Sequence, residues 1–455
     1  MSRHVSRRDF ISLSASAAGA TIATKAIVLD PTPIWAIPQT VAPSDRVRFG
    51  IIGIGMQGNG LMASSLQLPG IECAAACDLY DGRHTLAREI ANSPTLPVTR
   101  RYQDLLNNKD IDCIIAAVPD HWHKQIVVDT LSAGKDVYCE KPMSHSPADG
   151  VDMVAAEKKT GRILQVGSQR VSSALLTKAR ELVHEGALGD LMMVEGVLGR
   201  NDPNGAWEYP PPPDLSPENL DWNTWQATVP KVPFNPNIFA RWRCWKEYGT
   251  GVAGDLLVHL MSGALYVLGV NEPPKRAMAM GGILRWKDGR NMPDVHNTIF
   301  EYATTQGTNI SVVMRLNLGT DIPEGYRFMG SKGILDVTSD QITFTSQSGK
   351  DEVPSWYAGS FPKALRDAYY KQWHEEHDMP LEREKTIEAT TYKGANYNDV
   401  KPHLWNFFQS VKSRQPVIEN AVFGHHAALA CHMANESYFR KSAVYWDEQA
   451  KAINS

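Results

Sequence analysis

The sequence predicts an α/β protein of two domains, with a doubly wound parallel sheet first and a second α/β domain after it. Three observations carry this. Apolar, β-branched runs suited to strands buried on both faces alternate with helical stretches between Val47 and Gly167. The first run leads directly into a glycine turn that opens a helix. From Arg276 to Thr345 the chain changes to short β-type runs, among them Thr298–Tyr302 and Ile310–Leu316, and Gly330-Ser331-Lys332-Gly333 makes a turn between strands.

The chain has 455 residues, which at roughly 150 residues per domain allows two or three domains and an ample core. A formal net charge of -4 demands no nucleic-acid or membrane-surface partner. No repeat or low-complexity tract is visible. Residues 1–44 read as leader and linker, 45–168 as the first domain and 169–455 as the second. In the leader, Ser6-Arg7-Arg8-Asp9-Phe10-Ile11 resembles a twin-arginine export signal, which implies a periplasmic protein. The apolar run from Ile11 to Ala23 is too short for a membrane span, which needs roughly 20 residues. Prolines 31, 33, 38 and 43 mark the linker.

The six cysteines, Cys73, Cys77, Cys113, Cys139, Cys244 and Cys431, include no C-x-x-C pair. Cys73 and Cys77 share one predicted strand. Four residues of strand span about 13 Å, beyond the about 7 Å that a disulfide tolerates between Cα atoms. All six are expected to be reduced and structural.

In the first domain, Val47–Ile52 is a buried strand and Gly53-Ile54-Gly55-Met56-Gln57-Gly58 follows as G-x-G-x-x-G. Ile71–Cys77 is the next strand and Asp78 closes it, where the dinucleotide fingerprint wants an acid. Glycines permit a tight turn and close approach to a pyrophosphate, and the helix N-terminus offers it unpaired amides. Asp78 accepts from ribose hydroxyls and repels a 2′-phosphate, so NAD is favoured over NADP. Cys113–Val118 is another buried strand, ending in Pro119-Asp120. A helix over His121–Ala133 stops at Gly134. Strand Asp136–Cys139, a helix from Pro147 and strand Ile163–Gly167 complete the domain. Ligands of such sheets sit at the carboxyl ends of strands, where Pro119-Asp120-His121 and Glu140-Lys141-Pro142 lie.

The glycine box, Ala117-Val118-Pro119-Asp120-His121-Trp122-His123, Gly134-Lys135-Asp136-Val137-Tyr138-Cys139-Glu140-Lys141-Pro142 and Asp255-Leu256-Leu257-Val258-His259 together resemble the glucose–fructose oxidoreductase, inositol dehydrogenase and rhizopine-catabolism (Gfo/Idh/MocA) family. The resemblance runs from residue 46 to the end and points to the exported members. It implies a Rossmann domain, then a domain with a large, open, mostly antiparallel sheet through which a homodimer or homotetramer forms. It also implies that Lys141 lies near the nicotinamide and the substrate hydroxyl, that Asp255 and His259 complete a catalytic set, and that the Lys141–Pro142 bond is cis.

The chemistry has its own logic. Oxidising a secondary alcohol needs a hydride acceptor, which a nicotinamide supplies, and a base for the hydroxyl proton. His259 suits the base and Lys141 suits stabilising the alkoxide, although the two roles are exchangeable. Asp255 sits one helical turn before His259. On pattern alone, Asp255 and His259 are an ordinary helix pair. Gly53, Gly55, Met56, Gln57, Gly58, Asp78, Pro119, His121, His123, Glu140 and Lys141 are the expected cofactor contacts. His121-Trp122-His123 lacks the further ligands that a metal needs, so no metal is expected. Gln169 and Arg170 follow the last strand and point to the interdomain cleft in the family, though Arg170 equally suits a hinge salt bridge.

The stretch Asn201–Trp245 holds five tryptophans, a proline run, and Arg241 and Arg243, and reads as a long structured loop. Aromatic faces suit sugar rings and arginines suit hydroxyls or a carboxylate, so Arg241, Trp242 and Arg243 join Gln169 and Arg170 as expected substrate contacts; a small aromatic core is the alternative. His403–Val411 and Gly424–Phe439 are helical, and His425, His426 and His432 read as structural. The function expected is hydride transfer between tightly held NAD(H) and a hydroxyl of a sugar, cyclitol or glycoside. The alternatives are a redox-neutral, NAD-dependent glycosidase that oxidises, eliminates, hydrates and reduces, and a non-catalytic binding protein.

Overall fold

The computed structural model describes residues 22–29, 42, 46–303, 307–347, 354–377, 387–394 and 399–455. The twin-arginine segment and nearly all of the proline-bearing linker lie outside these residues. Ile22–Leu29 (β1), which sequence reasoning assigned to leader and linker, is instead an edge strand of the large sheet, parallel to residues 387–394. Its Ile-Ala-Thr-Lys-Ala-Ile-Val-Leu sequence is rich in β-branched residues, and an open sheet edge templates such a run.

Six parallel strands make the first sheet: Val47–Ile52 (β2), Ile71–Cys77 (β3), Val98–Thr99 (β4), Cys113–Ala116 (β5), Asp136–Glu140 (β6) and Leu164–Gly167 (β7). Their order, β4-β3-β2-β5-β6-β7, reverses direction beside β2. That places the ligand crevice over the carboxyl ends of β2 and β5. The predicted strands and helices all form. The Asp120–Ser132 helix stops before Gly134 at φ +78°, and Ser146 caps the Pro147–Thr160 helix.

The second sheet has eleven strands: β1, Leu191–Gly199 (β8), Arg276–Gly282 (β9), Val295–Ala303 (β10), Asn309–Asn317 (β11), Gly325–Gly330 (β12), Gly333–Thr338 (β13), Gln341–Ser346 (β14), Ile387–Gly394 (β15), Val444–Asp447 (β16) and Ala452–Asn454 (β17). It is mostly antiparallel, with parallel pairs at β8–β11 and β1–β15. Alternation along β10 and β11 buries Phe300, Tyr302, Val312 and Met314 in a core shared with the Val258–Leu268 and Ala421–Arg440 helices.

The boundary expected at residue 168 is crossed by the C-terminal helices. Val400–Ser413 returns to the first sheet, where Phe408 packs on Phe49 at 5.9 Å between ring centroids and Phe407 on Tyr138 at 5.8 Å. Each fully buried phenylalanine contributes roughly 1.5–3 kcal/mol. The Ala421–Arg440 helix serves both cores, with Ala421 and Ala428 in the first and Leu429, Cys431 and Met433 in the second. It thus joins the two sheets into one body. All six cysteines are free and all but Cys73 fully buried; burial pushes the Cys73 and Cys244 thiols up to about 12.

Candidate active site

The glycine loop is drawn tight. Gly53 has φ +87°, and a Cβ there would stand 2.4 Å from the Ala117 carbonyl oxygen. A Cβ on Gly58 would stand 1.9 Å from the Gly53 oxygen. Strands β2 and β5 and the Met56–Leu66 helix therefore meet with backbone alone between them. Gly55 begins that helix without any side-chain cap, so its first amides stay available for an anion. The buried Asp78 carboxylate accepts from the Ile54 amide at 2.8 Å and the Tyr80 amide at 3.0 Å, and pairs with Arg83 at 3.3 Å. Free helix amides, glycines that admit no side chain and an oriented acid all fit a dinucleotide.

Two cavities lie along this crevice. One, of about 560 Å³, is bounded by Asp78, Arg101, Tyr102 and Trp122. The other, of about 510 Å³, is bounded by Gly55, Gln57, Glu140, Lys141, Asp255 and His259. Arg83, Pro119 and Trp225 line both, so the two trace one path from the acid past the glycine loop to Lys141.

At the far end Lys141 Nζ donates to the Asp255 carbonyl at 2.7 Å and to its Oδ1 at 2.9 Å. Arg243 Nε donates to the same Oδ1 at 2.9 Å while its guanidinium stacks on Trp242 at 4.2 Å. Burial alone would raise the Asp255 carboxyl. Arg243 and Lys141 override that and hold it well below the usual carboxylate range. Burial, then the charges of Lys141 and Arg170, push the His259 imidazole well below its ordinary value, and its buried Nδ1 has no partner among the described residues. The imidazole is therefore neutral around pH 7, and burial together with Lys141 and Arg170 opposes its protonation. Glu140 takes hydrogen bonds from Gln57 and Gln169, and burial raises its carboxyl.

Asp255 does not sit on a regular helix. Ala253–Leu257 is a π-turn that runs into the Val258–Leu268 helix. Such a bulge commonly marks a functional site. It brings the chain so close to the Lys141–Pro142 cis peptide that a Cβ on Gly254 would stand 1.6 Å from Thr250 Oγ1 and 3.2 Å from Pro142.

The two histidines after Pro119 face backbone carbonyls rather than the cavities. His121 bridges the Tyr248 and Trp225 carbonyls at 3.1 and 2.8 Å, and Trp122 Nε1 donates to the same Trp225 oxygen. His123 sits between the Pro142 and Val118 carbonyls at 2.7 and 2.9 Å. Asp120 accepts from the Thr250 amide and hydroxyl. Expected as cofactor contacts, His121 and His123 instead fasten the first domain to the Trp225–Thr250 segment and to the cis-proline turn. A carbonyl needs a donor wherever it is buried, and the imidazoles supply it. His121 is pushed down to about 4 by burial, which outweighs the two carbonyls.

Among the expected substrate contacts, Gln169, Trp242 and Arg243 line the Lys141 cavity. Arg241 does not: its guanidinium pairs with Glu208 and donates to the Tyr209 carbonyl. Arg170 pairs with Glu324 at 3.1 Å and Asp399 at 2.9 Å, the hinge salt bridge. Gly58 acts in packing, whereas Gly55, Met56, Gln57 and Glu140 line the cavity. Sequence reasoning missed Arg83 and Arg200. Each follows a strand end closely, after β3 and β8, and that position was the available signal. His432 hydrogen-bonds Ser144 and His426 hydrogen-bonds Asn271, in keeping with structural roles. Among the described residues no cluster of histidine, cysteine or acid could hold a metal, and no helix is long and apolar enough to cross a membrane.

Residues 47–168 match the GFO_IDH_MocA oxidoreductase family, described as an NAD-binding Rossmann fold. Inositol 2-dehydrogenase of Salmonella typhimurium is 32% identical over 152 residues, 33% of this chain and 45% of that enzyme, so the chain spans less than half that relative's length. A glycosyl hydrolase family 109 protein of Bacteroides fragilis is 23% identical over 80% of both chains. The fold is similar to that of a levoglucosan dehydrogenase in complex with NADH, with TM-score 0.62, 18% identity, and coverage of 88% of this chain and 99% of that one. Glycine loop, oriented acid and family match agree, and residues 47–168 match the NAD-binding Rossmann domain of the Gfo/Idh/MocA oxidoreductase family.

Proposed function

We propose that this protein is an NAD(H)-dependent oxidoreductase that moves a hydride between the nicotinamide and a secondary hydroxyl of a sugar, cyclitol or glycoside. One observation carries the reading: Lys141, Asp255 and His259 converge on a cavity that the glycine loop also lines. Bound nicotinamide supplies the hydride acceptor. His259, neutral at pH 7, takes the hydroxyl proton. Lys141 spends two of its three donors on Asp255 and keeps the third for the substrate oxygen, where its charge stabilises the alkoxide. Asp255 holds both Lys141 and Arg243 in place. Tyr209 and Trp242 are the half-buried aromatic residues on the cavity wall, of the kind that sugar rings stack on. The relatives' names support a carbohydrate substrate.

Redox-neutral glycosidase chemistry is the second reading, favoured by the 80% coverage of the family 109 protein. Both readings suit a cofactor held through many turnovers. The segment from Asp214 to Trp225 is strapped over the crevice by Asp81–Asn219, Asp221–Leu79 and Trp225–His121 hydrogen bonds. Tight binding also suits export by the twin-arginine route, since cytoplasmic folding lets the cofactor travel with the protein. For assembly we propose a homo-oligomer through the large sheet, whose outer face exposes Met278, Met280 and Ile299.

The test uses purified full-length protein. Released NAD(H) and NADP(H) are quantified after denaturation, and bound nicotinamide absorbance is followed while sugars and aryl glycosides are added. Bound NAD(H) that cycles with a sugar supports the dehydrogenase. Aglycone release without net reduction selects the glycosidase. Protein with no affinity for either nucleotide refutes both.

A further inference from the structure

The cations around the Lys141 cavity are unevenly paired. Arg83 is matched by Asp78, while Lys141 and Arg243 share the single carboxylate of Asp255. Arg200 lines the same cavity, and among the described residues its guanidinium has no hydrogen-bond or ion-pair partner. Asp202, two residues on, gives its carboxylate to the Gly205 amide. The cavity thus holds more positive than negative charge, and its one uncommitted cation is a guanidinium.

Arg200 is fixed at its base and open at its tip. It follows β8 directly. Its amide donates to the Asn317 carbonyl at 3.0 Å, the Gly199 amide to Ile322 at 2.8 Å and the Asn201 amide to Asp321 at 2.8 Å. Its stem runs where a side chain on Gly205 would lie, since a Cβ there would stand 2.7 Å from Arg200 Cβ. A held stem lowers the entropy cost of binding through the tip. Tyr209 and His259, which line the same cavity, are within electrostatic reach of Arg200. Arg200 therefore belongs to the substrate end, away from the glycine loop where a pyrophosphate would sit.

We infer that the substrate is an acidic carbohydrate, a hexuronate or hexuronoside, whose carboxylate is taken by Arg200 while its ring lies against the aromatic wall of Tyr209 and Trp242. A planar guanidinium matches a carboxylate through two parallel hydrogen bonds. A phosphate dianion fits worse, because it would bring two charges into a cavity that holds one uncommitted cation and two acids, Asp255 and Glu140. The inference rests on the carbohydrate reading above, but its test does not need turnover.

Binding is measured on the holoprotein by tryptophan fluorescence and calorimetry, comparing glucuronate with glucose, galacturonate with galactose, and the matching sugar 6-phosphates. A hexuronate is expected to bind about tenfold to a hundredfold tighter than its neutral sugar, the range of a charge-assisted hydrogen bond. Arg200→Gln is expected to collapse that ratio, and Arg200→Lys to restore part of it. Equal affinity for acid and neutral sugar, tighter binding of the phosphates, no binding of any of them, or a ratio unchanged in Arg200→Gln each overturns the inference. Hexuronate binding that never alters nicotinamide absorbance refutes the dehydrogenase and leaves the acidic ligand standing.

Discussion

Asp255→Asn removes one charge and almost no volume, which makes it a direct probe of the Lys141–Asp255–Arg243 set. The three side chains retain only 11%, 12% and 17% of their exposure, so the pairs are buried rather than solvated. Removing one partner of a buried ion pair costs about 3–5 kcal/mol, because the remaining charge stays buried without compensation. Here two cations lose the carboxylate they share, while asparagine still offers an oxygen to one of them and the Glu140 carboxyl stays beside Lys141. The expected loss is therefore near the lower end, about 3 kcal/mol, out of a typical total of about 5–15 kcal/mol. Urea unfolding of wild type and variant with a common m value reads it. The pH dependence supplies a second check. Asp255 is held below its unfolded value of about 3.9, so its stabilisation is fully present above about pH 4 and fades as pH falls below that. The gap between wild type and variant should stay constant from about pH 5 to 8 and narrow in acid. A loss under about 1 kcal/mol, the worth of an exposed pair, would show that Asp255 is solvated and would refute the buried network.

Three further expectations are open to measurement. Lys141→Met should lower kcat by about 100-fold or more, the scale of a lost charge stabiliser. His121→Phe removes the single N–H that the neutral imidazole gives to the Trp225 and Tyr248 carbonyls, which keep the Trp122 Nε1 and residue-121 amide donors, and should cost about 0.5–1.5 kcal/mol of stability. The variant should also release NAD faster than wild type on dilution. Because His121 is pushed down to about 4 in the fold, wild-type stability should rise with pH between about 4 and 6.5 and level off above; the variant should lose that component of the slope. Gly254→Ala places a methyl 1.6 Å from Thr250 Oγ1 and should destabilise by at least about 1–3 kcal/mol, read as a lowered Tm.

Much of the first domain was legible in the amino-acid sequence, although the stretch holding Asp81–Ile90, β4 and Tyr102–Asn107 was not read. Strands buried on both faces leave continuous apolar runs, and the predicted Val47–Ile52 and Ile71–Cys77 are the observed β2 and β3. The glycine loop and Asp78 were legible for the same reason, since local backbone geometry permits few residues there. The catalytic candidates were legible as a set of motifs, because the E-K-P turn and the D-x-x-x-H pair each lie within one short stretch. What sequence could not decide is where side chains with two possible uses would point. His121 and His123 stand at a strand end, where cofactor contacts are common, yet carbonyls from Pro142, Tyr248 and Trp225 take both rings. Those carbonyls lie up to 127 residues away, and only packing brings them near. Arg241 and Arg243 are neighbours of equal chemistry, but Glu208 claims one and Asp255 the other. The return of the Val400–Ser413 helix to the first sheet and the pairing of Ile22–Leu29 with Ile387–Gly394 likewise depend on long-range contacts with no local signature. Local propensity and motif spacing therefore specified most of the elements and which residues are candidates for the chemistry. The tertiary structure decided which polar groups are spent on holding the domains together, because each buried carbonyl and charge must find its partner in space rather than in sequence.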